Sequence, residues 1–134
     1  MMNTTDKQLM RGDPDVTSHT SAGMADDAPV REQLNTDHLQ RAAFLAKSLS
    51  DGNRLRILLL ICDGKKSVST IVEKLGLSQP LVSHHLKELK RSLLVKVERE
   101  GPFIYYELAD TRILEVIQIL SQVATDLLSE RTTF

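Results

Sequence analysis

The sequence lacks several features that mark particular classes of protein. It has one cysteine, Cys62, which excludes an internal disulfide, and only 4% of its residues are aromatic, with no tryptophan. No apolar run approaches the ~20 residues that a membrane-spanning helix needs, and the first ten residues lack the apolar segment of a secretory signal. These absences predict a protein that has no membrane partner and stays in the cytoplasm.

The residue sets that enzymes need are also missing. No Ser/His/Asp or Cys/His set, no glycine-rich phosphate loop and no supported pair of carboxylates can be assembled from the sequence. A chain of 134 residues leaves room for one modest domain. We therefore predict a small protein that is not an enzyme and uses no cofactor.

Charge is unevenly distributed, although the net charge is only −1. Residues 1–35 contain six acidic and three basic residues, and residues 101–134 contain five acidic and two basic residues. Residues 53–100, in contrast, contain ten basic and five acidic residues. This basic centre favours a polyanionic partner, with a solvated charged face as an equally good explanation of the counts alone.

Hydrophobic periodicity separates an N-terminal arm from a folded domain. Residues 1–34 show no sustained apolar period and predict a disordered acidic arm, whereas residues 35–134 predict the domain. The domain is predicted to start with one helix from Asp37 and a second helix that Asp51 caps. The inner face of this second helix is predicted to carry Leu55, Leu58, Leu59 and Cys62.

Two further helices are predicted to meet at a three-residue turn. Ser67 can cap the first of them and Gly76 can end it, while Ser78 caps a second helix from Gln79 to about Leu93. Two helices joined by a turn with glycine form a helix-turn-helix, whose second helix enters the major groove of DNA. The face of that helix predicted to point inward carries Val82, His85, Leu86 and Leu89.

After Leu94 the apolar period becomes two, which predicts two strands joined by a turn at Glu100–Pro102. The hairpin makes the predicted fold a mainly α, winged helix-turn-helix. A last helix is predicted from Thr111 to Glu130, and its apolar surface is too wide for one small domain to cover, which favours a homodimer. The predicted dimer interface consists of Leu39, Ile113, Val116, Ile117, Leu120, Val123 and Leu127.

The outward face of the second motif helix is predicted to bind DNA. Near its start, polar side chains can reach base edges, and further along, basic side chains can reach phosphates. His84 is predicted to contact a base and His85 to pack in the core, because adjacent helical residues point roughly 100° apart and cannot share a metal ion. The predicted DNA-binding residues are Ser78, Gln79, Pro80, Ser83, His84, Lys87, Lys90, Arg91 and, on the wing, Arg99.

Four segments resemble the ArsR/SmtB family of prokaryotic repressors. They are Ser48–Leu58, Leu75–Pro80, Val82–Lys87 and Arg99–Gly101, the last followed by Tyr105-Tyr106. The resemblance covers about residues 37–130. It implies a dimeric winged helix-turn-helix repressor that binds an inverted-repeat operator and is released by an inducer, often a metal ion. It also implies that base reading falls on Gln79, Ser83 and His84.

The metal ligands of that family are replaced in this chain. The family's Cys-x-Cys pair matches Ser67 and Ser69, and neutral hydroxyls are poor ligands for soft metals. The family's other site, Asp-x-His followed by His-x-x-Glu, matches Asp110, Arg112, Val123 and Asp126. Two imidazoles are missing there, and Arg112 could instead neutralise Asp110 or the Asp126 carboxylate of a partner. We therefore predict no metal at these positions and an inducer whose identity the sequence does not reveal.

A second hypothesis is a winged-helix module that binds another protein and has no specific DNA binding. The excess of positive charge over residues 53–100 argues against it.

Overall fold

The computed structural model describes residues 29–131, and the chain divides into two compact units, residues 1–40 and 41–134. Most of the predicted arm, residues 1–34, lies outside the described residues. The end of the arm contains helix α1 (Val30–Gln33), a single turn that the sequence did not predict. Helix α2 (Thr36–Ser48) follows, and the Asn35 side chain accepts a hydrogen bond from the His38 backbone N–H at 2.9 Å.

The second unit contains the end of α2 and the elements of a winged helix-turn-helix, which confirms the predicted fold class. The order is α3 (Gly52–Leu60), β1 (Lys66–Ser67), α4 (Val68–Leu75), α5 (Gln79–Arg91), β2 (Val95–Glu100), β3 (Phe103–Leu108) and α6 (Arg112–Arg131).

Helices α3, α4 and α5 begin at the predicted caps. The Asp51 carboxylate accepts from the backbone N–H groups of Asn53 and Arg54 at 2.9 and 3.1 Å. The hydroxyls of Ser67 and Ser78 each accept from the N–H three residues later. These bonds satisfy donors that have no partner within the helix, so short polar side chains define where each helix starts.

The three strands form one antiparallel sheet in the order β1-β3-β2. The predicted hairpin pairs Val95 with Leu108 and Glu100 with Phe103, and Gly101 turns the chain with a φ of 61°. Strand β1 pairs Lys66 with Tyr106 and was not predicted. Two residues are too few to show an alternating pattern, so only the pairing with β3 identifies this strand.

The core lies where α3, α4 and α5 meet the sheet and α6. Helix α5 contributes the four predicted inward residues, all at most 4% exposed. The prediction for α3 was partly wrong, because Leu59 is 52% exposed and Cys62 is only half-buried. The inner face of α3 is centred instead on Ile57 and Leu58, and Ile61, which follows the last residue of the helix, is buried in the same core.

Between residues 29 and 131, none of the helices is long and apolar enough to cross a membrane.

Gly76 ends α4 in the left-handed conformation, with a φ of 66°. A Cβ atom at this position would contact nothing within 4 Å, so only the backbone conformation opposes substitution. Gly76→Ala should therefore lower the free energy of unfolding by about 1 kcal/mol. Urea denaturation followed by circular dichroism measures the change.

Gly52→Ala is the matched control, because this site is equally open but lies in the first turn of α3 without a left-handed φ. The control should leave stability unchanged or raise it by up to about 1 kcal/mol. Equal losses in both variants would show that backbone conformation is not what requires glycine at position 76.

Candidate nucleic-acid interface

Helix α5 presents a polar and basic surface opposite its buried face. Pro80 fits in the first turn, where backbone N–H groups need no acceptor within the helix. The structure places on the surface each residue that the sequence predicted to bind DNA. These exposed residues are Ser78, Gln79, Pro80, Ser83, His84, Lys87, Lys90, Arg91 and Arg99.

The basic side chains of this surface differ in whether they already form an ion pair with an acidic side chain. Among residues 29–131, neither Lys87 nor Lys90 forms an ion pair, whereas Arg91 lies 3.3 Å from the carboxylate of Glu88 on the same helix. An unpaired ammonium attracts a phosphate more strongly than one whose charge is locally neutralised. Lys87 and Lys90 are therefore the stronger candidates for phosphate contact.

The wing contains an electrostatic cluster that sequence reasoning missed. The Lys65 ammonium lies 3.1 Å from the Glu98 carboxylate, forms a second ion pair with Glu100, and sits 5.3 Å from the centre of the Tyr105 ring. The two carboxylates raise the pKa of Lys65, and Lys65 lowers the pKa of Glu100. Arg99 stands between these glutamates in β2, and in the described part of the chain it has no ion-pair partner.

His85 lies on the buried face of α5, opposite its polar and basic surface, and is only 4% exposed. Its Nδ1 atom is 3.4 Å from Nη1 of Arg54, and its Nε2 atom is 3.7 Å from the Asp51 carboxylate. Burial lowers the pKa of His85, although the charge of Asp51 opposes this shift. The predicted packing of His85 in the core is confirmed, but no local sequence pattern connects it to Arg54, 31 residues away.

The positions that match metal ligands of the family have other partners here. The Ser67 hydroxyl caps α4 and lies 3.1 Å from the Ser69 hydroxyl. Arg112 binds the Asp110 carboxylate of its own chain at 2.7 Å and lowers the pKa of Asp110 to about 2. Across residues 29–131, no three His, Cys, Asp or Glu side chains come together as a metal site.

A second exposed surface is apolar and lies on α6 and the end of α2. An apolar cavity of about 300 Å³ opens on it, and the side chains exposed along α6 include Val116, Leu120, Val123 and Leu127, each at least 48% accessible. Ile113 is half-buried against the core. The cavity is lined by Ala42, Leu45, Ala46, Leu49, Leu94, Ile113 and Val116.

Of the predicted dimer-interface residues, one is buried in its own chain and one belongs to the first unit. Ile117 is only 7% exposed because it belongs to the core of its own chain, which leaves little of its surface for a partner. Leu39 belongs to the first unit and is 54% exposed.

Comparison with known proteins agrees with this architecture. A family model described as bacterial regulatory protein, arsR family, matches residues 51–97. The chain is 31% identical over 96 residues to the transcriptional activator HlyU of Vibrio cholerae. This match covers 72% of this chain and 89% of HlyU. It is 40% identical over 65 residues to the transcriptional repressor SdpR of Bacillus subtilis, which covers 48% of this chain and 72% of SdpR.

A solved structure shares the fold as well. The homodimeric winged helix-turn-helix DNA-binding domain of the Mycobacterium bovis protein Mb0332 superposes with a TM-score of 0.58 at 27% identity, covering 87% of this chain and 94% of that domain. The matched family consists of regulators, which is not a class of enzymes. The chain therefore belongs to the arsR family of bacterial regulatory proteins, and it is a transcriptional regulator.

Proposed function

We propose that the chain binds a specific DNA operator as a homodimer and represses transcription there until an inducer releases it. The observation that carries the proposal is the division of α5 into a buried apolar face and an exposed polar and basic face. The inner face of α5 is fixed in the core, so the positions of its outer side chains are fixed as well. Readout of base edges requires side chains that are positioned in this way.

The two ends of α5 suit different contacts with DNA. Gln79, Ser83 and His84 lie near the N-terminus of the helix, the end that reaches base edges in helix-turn-helix proteins. Lys87 and Lys90 lie further along and can neutralise phosphates, while Arg99 offers a cation on the wing. We infer that the first group gives sequence preference and that the second gives affinity.

A second copy of the chain is the partner we assign to the apolar surface of α2 and α6. Val116, Leu120, Val123 and Leu127 recur at helical spacing and form one exposed stripe, with the cavity at its Val116 end. An apolar surface of this length, flanked by polar residues, is typical of an interface between proteins. The relation to a homodimeric domain supports the same assignment.

Repression by occupancy is the form of regulation we infer, because a dimer bound over a promoter can exclude polymerase without needing another surface. HlyU is named an activator and SdpR a repressor, so both kinds of regulation occur among the relatives. The replacement of the metal ligands by Ser67, Ser69, Arg112 and Val123 supports an inducer other than a metal at those positions. Binding to the chromosome would place the protein in the cytoplasm.

His84→Ala should weaken binding to the operator about tenfold and leave binding to random DNA almost unchanged, because a base contact contributes only at the right sequence. Lys87→Ala should weaken binding to both DNAs and reduce the slope of log K against log salt by about one. Fluorescence anisotropy with operator and scrambled duplexes at several salt concentrations measures both effects.

His38→Ala is a control for removing an exposed histidine, and it should change neither affinity. If His84→Ala lost equal affinity for operator and scrambled DNA, His84 would not read bases.

Leu120→Glu should convert the dimer into a monomer, because it places a charge in the centre of the exposed apolar stripe of α6. Gln118→Glu adds the same charge to the same helix at an exposed polar position, and it should leave the dimer intact. Sedimentation velocity distinguishes the two species. A Leu120→Glu protein that remained a dimer would place the interface elsewhere.

A further inference from the structure

A polar cluster lies beneath α5, on the side of the helix that otherwise packs apolar side chains into the core. It consists of Asp51 at the cap of α3, Arg54 in the first turn of α3, and His85 on the inner face of α5. The nearest core neighbours of His85 on its own helix, Val82 and Leu86, are at most 1% exposed. The imidazole ring is therefore the polar link between α5 and the start of α3.

The groups that contact the imidazole ring of His85 determine which of its two nitrogen atoms carries the proton. Arg54 can only donate, so the 3.4 Å contact from its Nη1 requires Nδ1 of His85 to be an acceptor. In the neutral ring the proton then lies on Nε2, which faces the Asp51 carboxylate at 3.7 Å. Both nitrogen atoms are thus directed to suitable groups only while the ring is neutral.

The guanidinium of Arg54 is also held by backbone carbonyl groups. Its Nε donates to the Ser48 carbonyl at 2.7 Å, and its Nη2 lies 3.5 Å from the Lys47 carbonyl, both at the end of α2. The guanidinium cannot retreat from a new charge without breaking these bonds. A proton on Nδ1 of His85 would therefore remove the acceptor and place two cations together in a part-buried setting.

We propose that Asp51 and Arg54 are positioning residues that hold the recognition helix through the neutral ring of His85, and that protonation of this ring weakens DNA binding. This inference rests on the proposed DNA-binding function. We call the three side chains the α5 latch. His85 does not contact DNA in this account, because its side chain is buried, and it acts by fixing the helix that carries His84.

The charged and titratable groups that act on His85 determine the direction of the pH effect. Burial and the positive charge of Arg54 favour the neutral ring, His84 on the same helix acts in the same direction, and Asp51 favours the protonated ring. In the described part of the chain, the other packed elements, α4 and β2, add no charged group to these. The net result is a pKa below the ordinary value, so the latch is complete at neutral pH.

Linkage between protonation and the position of α5 determines the direction of the pH effect. The His85 ring binds a proton less readily while Asp51 and Arg54 hold it than when α5 is released. The fraction of molecules with a released α5 therefore increases as the pH falls below about 6.5, the ordinary pKa of histidine. Affinity for the operator should fall over this interval.

The test compares His85→Gln with the wild-type protein, both full length and above the concentration at which dimers form. Glutamine can accept from Arg54 and donate to Asp51, yet it does not titrate. Between pH 7.5 and 5.5 the dissociation constant for operator should rise several-fold more in the wild type than in His85→Gln, because only the wild-type ring can take up a proton at this position. His38→Gln is the control for replacement of a histidine outside this cluster, and it should retain the wild-type profile.

Parallel pH profiles for wild type and His85→Gln would overturn the latch while leaving the DNA-binding function intact. Absence of sequence-specific binding at pH 7.5 in the wild type would overturn the proposed function and the latch together. Circular dichroism at each pH shows whether the proteins remain folded.

Long-range ¹H–¹⁵N spectra of the wild-type histidine rings give a second test that needs neither DNA nor a variant. The latch predicts a proton on Nε2 of His85, a bare Nδ1, and a titration midpoint of His85 below about 6.5, the ordinary value for histidine. A proton on Nδ1 of His85 at neutral pH, or a midpoint of His85 at or above the ordinary value for histidine, would overturn it.

Discussion

Burial of one face of α5 is the constraint on which the rest of the structure depends. Val82, Leu86 and Leu89 are at most 1% exposed, and they pack with α3, α4 and the start of β2. Because successive residues of a helix are rotated by about 100°, fixing this face also fixes the direction of every residue on the opposite face. The position of the polar and basic side chains in space is therefore a consequence of core packing rather than a separate feature.

The same small core leaves two surfaces of opposite character. One is the polar and basic face of α5, and the other is the apolar stripe of α6, where residues such as Leu127 are more than 60% exposed. Water solvates the first surface well and the second poorly. The polar and basic face of α5 is complementary to a polyanion, and the apolar stripe of α6 is complementary to a second copy of the chain. A protein that reads a two-fold symmetric site needs both surfaces.

Local chemistry explains most of what the sequence predicted correctly. The caps Asp51, Ser67 and Ser78 act within three residues of themselves, and the hairpin is visible in its alternating pattern, so each could be found without tertiary information. The features that were missed depend on partners distant in sequence. Strand β1 exists only through β3, and Lys65 meets Glu100 across 35 residues. The burial of Ile117 and the exposure of Leu59 likewise depend on how neighbouring helices are arranged, which periodicity in one helix does not specify.

Selection of binding sites from random-sequence duplex DNA by the purified full-length protein shows whether a symmetric dimer of this chain reads bases through α5. A homodimer that reads bases through α5 should enrich an inverted repeat whose half-sites are centred about one helical turn, roughly 10 base pairs, or a multiple of it apart. Mutation of either half-site should then weaken binding. Enrichment of no sequence, or of a single half-site without symmetry, would show that DNA is not read by a symmetric dimer of this chain.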